Sequence, residues 1–374
     1  MEQSLFVGEL AVEPLDSYRV SCRLLGQLNE HWSSIVSPIF SWYQQRAEVW
    51  MMVQEQHDFY KVNSLTNLDE ASPVEGTIVW DAPRSLWNGA MLLGAIVLGP
   101  LTFSWSALAV FLITAGITLC ACHSVGFHRR LIHRSFECPK WLEMTLVWFG
   151  TAVGMGGPLW TIRVHDSRDW AQRQVDCHPF LAHRKDFWLD GLLYPHGRLV
   201  LKRPPGFDLG PGIGDDPIYQ FLDRTWMLHQ IPIALVLYWL GGWPFVVWGV
   251  FARVAACTTM HWGISYFAHT QGEQDWTVDG AVVQAHNVPL MAIPTMGESW
   301  HNNHHAFPGS ARHGLYPGQI DLGWEFVRLL RALGLAWNVQ VPAELPPRPG
   351  ISPVRARSLS VCAPGQAEIS RVQL

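Results

Sequence analysis

The chain has 374 residues and a formal net charge of −5, with 15% charged residues and 20 tryptophans. A soluble domain usually has about 25% charged residues, and tryptophan is enriched at membrane interfaces. This composition argues against an ordinary soluble protein, and we expect no nucleic-acid partner.

Residues 1–80 have a mixed composition and are predicted to form an N-terminal cytoplasmic extension. The first 20 residues contain Glu2, Glu9, Glu13 and Asp16 and lack the basic start and apolar run of a signal peptide. Residues 81–340 form the predicted membrane domain. Residues 341–374 contain five prolines up to Pro353, which predict a tail without regular structure.

Two blocks of the membrane domain are almost free of charge. No charged residue lies between Leu86 and Phe127, and only Arg253 lies between Trp226 and Gly272. One membrane-spanning helix needs about 20 apolar residues, so each block suits two helices, turning near "GPLTFSW" and at "GGWP". Arginines flank the blocks but are missing from the turns, which places the turns outside and both termini in the cytoplasm. The alternative is two buried core hairpins in a large soluble protein.

Fifteen of the 17 histidines lie within His123–His313. His301, His304 and His305 have the spacing i, i+3, i+4, so a helix would present them on one face. Three neutral imidazoles that converge on one point suit a first-row metal. Histidines away from such groups are expected to be surface or satisfied core residues: His31, His57, His123, His196, His229, His261 and His313.

Two further pairs accompany this group. His128 and His133 are five residues apart, about 140° around a straight helix, and converge only if the helix ends or bulges between them. His165 and Asp169 again have i, i+4 spacing. If all of these share one site, an even number of crossings must separate His133 from His269. The uncharged segment 144–162 then cannot cross the membrane, and we predict a re-entrant or interfacial helix there.

The order of these motifs resembles that of the membrane fatty-acid desaturases, over roughly residues 85–340. The pattern H-x4-H follows the second span, and H-x-x-H-H follows the fourth. The segment "GESWHNNHHAFPG" is similar to the family's third histidine box, and "RVAACTTMHWGISYFAH" to its fourth span and the lone histidine after it. The resemblance implies an all-α integral membrane protein with four transmembrane helices in two hairpins. It also implies a cytoplasmic helical cap that carries a histidine-rich site for two iron ions. By position, the implied ligands are His128, His133, His165, His269, His301, His304 and His305.

The second box departs from the family pattern. Arg168 and Asp169 of "HDSRD" stand where two histidines are usual. Arginine cannot bind a cation, so we expect Asp169 to be an iron ligand and Arg168 to turn away from the metal, toward a carboxylate or the substrate head group. The alternative is that Asp166 and Asp169 form ion pairs with Arg168 and Arg173, and a mononuclear or altered centre also stays open. Further candidates to complete the ligand set are Asp166, His178, His183 and His286.

The implied reaction is desaturation of a fatty-acyl chain, with O2 as co-substrate. The substrate would be linked to CoA, to a carrier or to a lipid. Since no haem or flavin motif is present, electrons must come from a partner protein, ferredoxin-like or cytochrome b5-like. Membrane lipid is a further expected partner. Candidate substrate-binding residues are Arg163, Arg253 and Trp262, and small residues predicted to line an apolar slot are Gly126, Gly154, Gly156 and Gly157. Two alternatives remain: a related lipid oxygenase (hydroxylase, decarboxylase or ketolase), because one scaffold can serve several reactions, and a non-enzymatic metal-binding membrane protein.

Overall fold

The computed structural model describes residues 64–354 except positions 211, 343, 344, 346 and 347. The predicted extension up to position 63 and the predicted tail from position 355 lie outside the described residues.

The first charge-poor block folds as a helical hairpin. Helix α1 (Ala82–Leu101) begins at Asp81, whose side chain accepts a hydrogen bond from the backbone N–H of Arg84 at 3.2 Å. The chain then turns, and Ser104 caps helix α2 (Trp105–Gly116) by accepting from the backbone N–H of Ala107. Helix α2 continues directly into a π-helix, Ile117–Ile132. The turn lies in the predicted "GPLTFSW" segment.

Four helices lie between the two hairpins: α3 (Lys140–Thr151), α4 (Pro158–Gln172), α5 (Phe187–His196) and α6 (Pro217–Arg224). Helix α3 has 12 residues, which corresponds to a length of about 18 Å. The hydrocarbon core of a bilayer is about 30 Å thick. Gly154, at φ +87°, lies between α3 and α4. The segment 144–162 is therefore two short helices, and it contains no single helix long enough to cross.

The second charge-poor block forms helix α7 (Gln230–Val246), a π-helical turn (Val247–Ala252) and helix α8 (Arg253–Thr270). The backbone leaves the helical region at Gly241 and at Gly242, which has φ 65° and ψ −157°. A side chain would disfavour this conformation, and glycine permits it. The break lies at the predicted "GGWP" turn.

Short elements complete the described chain. Helices α9 (His301–Ala306) and α10 (Leu322–Ala332) follow α8. Three antiparallel strand pairs join distant segments: β1 (Leu65–Thr66) with β4 (Gly206–Phe207), β2 (Ser72–Trp80) with β3 (Gly197–Arg203), and β5 (Trp276–Val278) with β6 (Ile351–Pro353). Strands β1, β2 and β6 lie outside the predicted 81–340 boundaries, so the described fold extends beyond these boundaries on both sides. Within the described chain, the strand that carries Pro353 pairs only with β5, and a missing N–H is tolerated on such an edge strand.

Two helical stretches of the described chain are long and apolar enough to cross a membrane, Trp105–Ile132 and Gln230–Thr270. Only 22% of the most apolar window of the first stretch and 28% of that of the second are buried. The exposed side chains are mostly apolar, including Ile113 at 61% exposure and Trp239 at 83%. A soluble protein would bury such faces. These helices are therefore suited to association with a membrane.

Neighbouring groups fill the space beside the four glycines that were predicted to line a slot. Gly126 lies against the backbone of Leu146, which lets the π-helix and α3 pack closely. Gly157 lies against Asp223, and Gly154 and Gly156 are likewise covered, by Val254 and Trp160. The prediction that these glycines give room to a substrate is wrong, because their missing side chains allow close packing between segments.

Candidate metal centre

Four imidazoles form the first cluster, which we define as His128, His133, His165 and His304. Their candidate ligand atoms all lie within 4.8 Å of one another. The Nε2 atom of His133 is 3.2 Å from that of His128 and 3.3 Å from that of His165. The cluster is assembled by the end of the π-helix, by α4 and by α9.

The π-helix explains why two histidines five residues apart can meet. The backbone N–H of His133 donates to the carbonyl of His128 at 3.1 Å, the i→i+5 bond of a π-helix. One wider turn therefore brings His133 above His128. The sequence predicted a helix end or a bulge between them, and the π-helix meets that requirement.

Three imidazoles form the second cluster, which we define as His269, His301 and His305. The Nε2 atom of His301 lies 3.1 Å from that of His269 and 3.0 Å from that of His305. His269 comes from the last turn of α8, and the other two come from α9.

Helix α9 therefore divides its histidines between the clusters. The rings of His301 and His305 are 4.5 Å apart, whereas each lies 5.8 Å from the ring of His304. The ring of His304 is instead 4.5 Å from that of His128. The prediction that the three imidazoles of H-x-x-H-H converge on one point is wrong, because His304, the fourth residue of the helix, turns its ring to the other side.

Two amides hold this short helix in place. Asn302 accepts hydrogen bonds from the backbone N–H groups of Asp275 and Trp276, both at 2.9 Å. Asn303 donates to the carbonyl of His313 and to the side chain of Gln319. A six-residue helix is too short to be stable by itself, so these buried bonds fix the direction of the histidines.

The donor sets fit a first-row metal. Nitrogen ligands lie about 2.0–2.1 Å from such an ion, and neighbouring ligands are then separated by roughly 3.0–3.4 Å. Two Nε2 pairs in each cluster have such separations, from 3.0 to 3.3 Å. Burial and the neighbouring imidazoles lower the pKa of His133, His301 and His304 well below the usual range. These side chains are therefore neutral at pH 7, the form that binds metal. Imidazole donors suit iron, zinc, copper or nickel.

A carboxylate supports the first cluster from behind. Glu298 lies 2.5 Å from the Nδ1 atom of His128, and its other oxygen is 2.5 Å from the Arg129 guanidinium. Burial by itself raises the pKa of Glu298, but Arg129 and His313 hold it below its usual range. A charged Glu298 accepts the Nδ1–H of His128 and turns Nε2 toward the cluster. Sequence reasoning missed this residue, although it lies three positions before His301.

His313 was also missed. Its side chain is 1% exposed, and its ring centroid lies 4.6 Å from that of His304 and 5.4 Å from that of His128. Its Nδ1 atom is 3.7 Å from Glu298, and neither ring nitrogen forms a hydrogen bond within the described residues. The interpretation of His313 as a surface or satisfied core residue is therefore wrong.

Asp169 lies beside the second cluster, but its oxygens belong to none of the three groups of candidate ligand atoms in the described chain, the third group being His128, Glu298 and His313. It forms ion pairs with Arg173 at 3.1 Å and with Arg348 at 3.4 Å, and it lies 3.9 Å from the Nδ1 atom of His305. Burial raises the pKa of Asp169, but Arg173 and Arg348 hold it well below its usual range. The pair with Arg173 is the one that the ion-pair alternative predicted. The role of Asp169 as a ligand stays a prediction.

Arg168 turns away from the first cluster, and among the described residues it forms no direct ion pair with a carboxylate. Its guanidinium lies 2.9 Å from the Nε2 atom of His183 and 2.6 Å from the Ser265 hydroxyl. His183 in turn contacts Asp190 at 2.9 Å, and its ring stacks on that of His269 at 5.8 Å.

The other candidate ligands lie outside both clusters. Asp166 contacts the Nδ1 atom of His165 at 3.0 Å, so it stands behind a cluster member. The Nδ1 atom of His178 accepts a backbone hydrogen bond from Phe180. His286 is half-buried, with its backbone N–H bound to the carbonyl of Ala268.

The three candidate substrate residues differ in accessibility. Arg253 is fully buried, and its guanidinium donates to the carbonyls of Gly249 and Ala152 and to the side chain of Gln230. The indole N–H of Trp262 donates to Asp190 at 2.8 Å. Arg163 is exposed, with its guanidinium over the ring of Phe207.

The model of the fatty acid desaturase family matches residues 103–317. The chain belongs to this family. The matched range includes both clusters, and the predicted family and the enzyme class, an oxidoreductase of the desaturase type, are confirmed.

Individual relatives support the same family assignment. The chain is similar to an sn-2 palmitoyl-lipid 9-desaturase of Nostoc sp., with 36% identity over 69% of this chain and 92% of the relative. It is 40% identical to an sn-1 stearoyl-lipid 9-desaturase of Anabaena variabilis over 65% of this chain and 87% of the relative. An icosanoyl-CoA 5-desaturase of Limnanthes douglasii is 32% identical over 70% of this chain and 74% of the relative.

Proposed function

We propose that the chain is an O2-dependent fatty-acyl desaturase that binds one iron ion in each histidine cluster and acts on an acyl chain linked to a lipid or to CoA. The observation that carries this proposal is the pair of all-imidazole clusters joined by α9, whose members are buried or half-buried. Lipid-linked and CoA-linked acyl chains are both named among the relatives.

A methylene group has no acidic proton and no leaving group, so side chains cannot attack it by themselves. When bound, the iron would supply the O2 chemistry that removes hydrogen from such a carbon. The chain's own residues keep the imidazoles uncharged and orient their nitrogen atoms toward the clusters. Glu298 fixes the tautomer of His128, and the buried Arg129 offsets the charge of Glu298.

Electrons would come from a ferredoxin-like or cytochrome b5-like partner protein. Five basic residues form a run between the hairpins: Arg163, Arg168, Arg173, Arg184 and Lys185. This basic run offers a surface for an anionic head group or for such a partner. Within it, Arg163, Arg184 and Lys185 are exposed, whereas the guanidinium of Arg168 is directed inward to His183.

We further propose four membrane crossings in two hairpins, with both clusters and both termini on the cytoplasmic side. The outward faces of α1, α2 and α7 support this, with Leu93, Ile113 and Leu235 all more than half exposed. The π-helix that continues α2 and helix α8 both end at cluster histidines. Both helix ends must therefore lie on the same side of the membrane. A reporter fused after Gly242 should read as external and one after Ile162 as cytoplasmic. An external signal after Ile162 would contradict the shared side.

Expression in a host followed by lipid mass spectrometry tests the reaction. We expect new acyl chains that have lost two hydrogens, and none with a His304→Ala variant expressed at the same level. Products that have gained oxygen or lost carbon would overturn desaturation in favour of a related oxygenase.

A further inference from the structure

The two clusters differ in what surrounds them. The first has four imidazoles and the Glu298 carboxylate behind His128. The second has three imidazoles, and its neighbours on α4 are the two positions that depart from the family pattern, Arg168 and Asp169.

Arg168 brings a permanent positive charge close to the second cluster. Its guanidinium binds the hydroxyl of Ser265, and the backbone carbonyl of that same residue accepts from the Nδ1 atom of His269 at 2.7 Å. His183, which also contacts Arg168, stacks on the His269 ring with an interplanar angle of 19°. The Asp190 carboxylate contacts the Nδ1 atom of His183, whose Nε2 atom contacts Arg168, so this carboxylate meets Arg168 only through the imidazole. A cation in this position repels a metal ion at the second cluster, and burial weakens the screening of that repulsion.

Asp169 compensates little of the positive charge of Arg168. Its carboxylate is shared by Arg173 and Arg348, so the three groups together carry a net positive charge. It faces the Nδ1 side of His305 at 3.9 Å, while the Nε2 atom of that ring faces His301 at 3.0 Å. Asp169 therefore lies behind a cluster member, beyond hydrogen-bond distance, and supplies no fourth donor in this arrangement.

We propose that the clusters bind metal unequally: the first cluster holds a first-row divalent ion tightly, and the second holds its ion at least tenfold more weakly. The inference rests on the proposed function only in taking both clusters as metal sites. If the second cluster binds its ion more weakly, an active two-metal centre forms only when that second ion binds.

The test is a Co(II) titration of the full-length, metal-free protein in detergent. Bound Co(II) is read from its visible absorption, and retained metal is measured by elemental analysis after desalting. We expect one equivalent to survive desalting and a second to bind only at a Co(II) concentration at least tenfold higher. Two equivalents retained with equal affinity would overturn the inference while leaving the desaturase proposal intact. No cobalt at either cluster would overturn both.

Paired variants assign the sites. His304→Ala should abolish the retained equivalent, and His301→Ala should leave it and abolish the weaker one. The reverse pattern would overturn the assignment.

Introducing the two histidines of the family pattern at positions 168 and 169 should increase metal binding at the second cluster. Arg168→His combined with Asp169→His removes the charge and adds two donors, so a second equivalent should survive desalting. Arg184→His is the matched control, because this exposed arginine lies outside both clusters, and it should retain one equivalent. If the double variant folds and still retains only one equivalent, Arg168 and Asp169 are not the cause of the inequality and the inference fails.

Discussion

The first and second clusters share helix α9 but are built differently around it. The first draws on the π-helix, α4 and α9, and the half-buried Glu298 carboxylate at 2.5 Å fixes one of its imidazoles. The second draws on α8 and α9, and arginines surround the carboxylate behind it. The difference teaches that the imidazoles alone do not define a metal site. The charges behind them decide how strongly each site attracts a cation, and the following predictions test that view.

The largest effect is expected from His304→Ala. An outer partner of a ligand is typically worth about 10–100-fold in affinity or activity, so loss of the ligand itself should lower turnover by more than about 100-fold. The measurement is desaturated product formed per amount of protein in membranes. His178→Ala is the control, since this imidazole lies outside both clusters, and it should keep nearly full activity. An equal loss in the two variants would mean that the first cluster is not the reactive site.

Glu298→Gln should weaken the first cluster without removing a donor. The uncharged amide no longer favours the tautomer of His128 that faces the cluster, so Co(II) affinity there should fall about 10–100-fold. The buried Arg129 also loses a charged partner, so Tm should fall, because breaking a buried pair costs up to about 3–5 kcal/mol.

Glu143→Gln separates these two effects. Glu143 is buried with Arg130 at 2.5 Å and Tyr219 at 2.5 Å, outside both clusters. It should lower Tm without changing Co(II) affinity. A parallel loss of affinity in both variants would trace the effect of Glu298 to global destabilisation.

Asp169→Asn should act on the second cluster only. Losing the carboxylate leaves Arg173 and Arg348 uncompensated beside His305, so affinity for the second Co(II) should fall about tenfold and the first should be unchanged. Asp176→Asn is the control, because its pair with Arg184 is exposed and such a pair contributes only about 0.2–1 kcal/mol. Complete loss of the second ion would instead support Asp169 as a direct ligand.

The smallest effect is expected from His313→Phe. The phenyl ring keeps the stacking on His304 and His128, and only the two ring nitrogens are lost. First-cluster affinity should therefore stay within about tenfold of the natural protein, as measured by Co(II) titration. A larger fall would make His313 a fifth donor to the first cluster.

Local sequence features predicted much of this molecule. Charge-free blocks, the "GGWP" break and the need for a bulge between His128 and His133 depend on length, hydropathy and backbone preference over a few residues. Such features do not require knowledge of the distant chain, which is why the helical breaks and the histidine-rich character of the site could be predicted.

The partners of the histidines could not be predicted in this way. Glu298 meets His128 across 170 positions, and Arg348 meets Asp169 across 179. Periodicity predicts which residues share a helix face, but it contains no information on which segment packs against that face. Only the packing of α9 against both the π-helix and α8 decides that His304 turns to one cluster and His301 and His305 to the other.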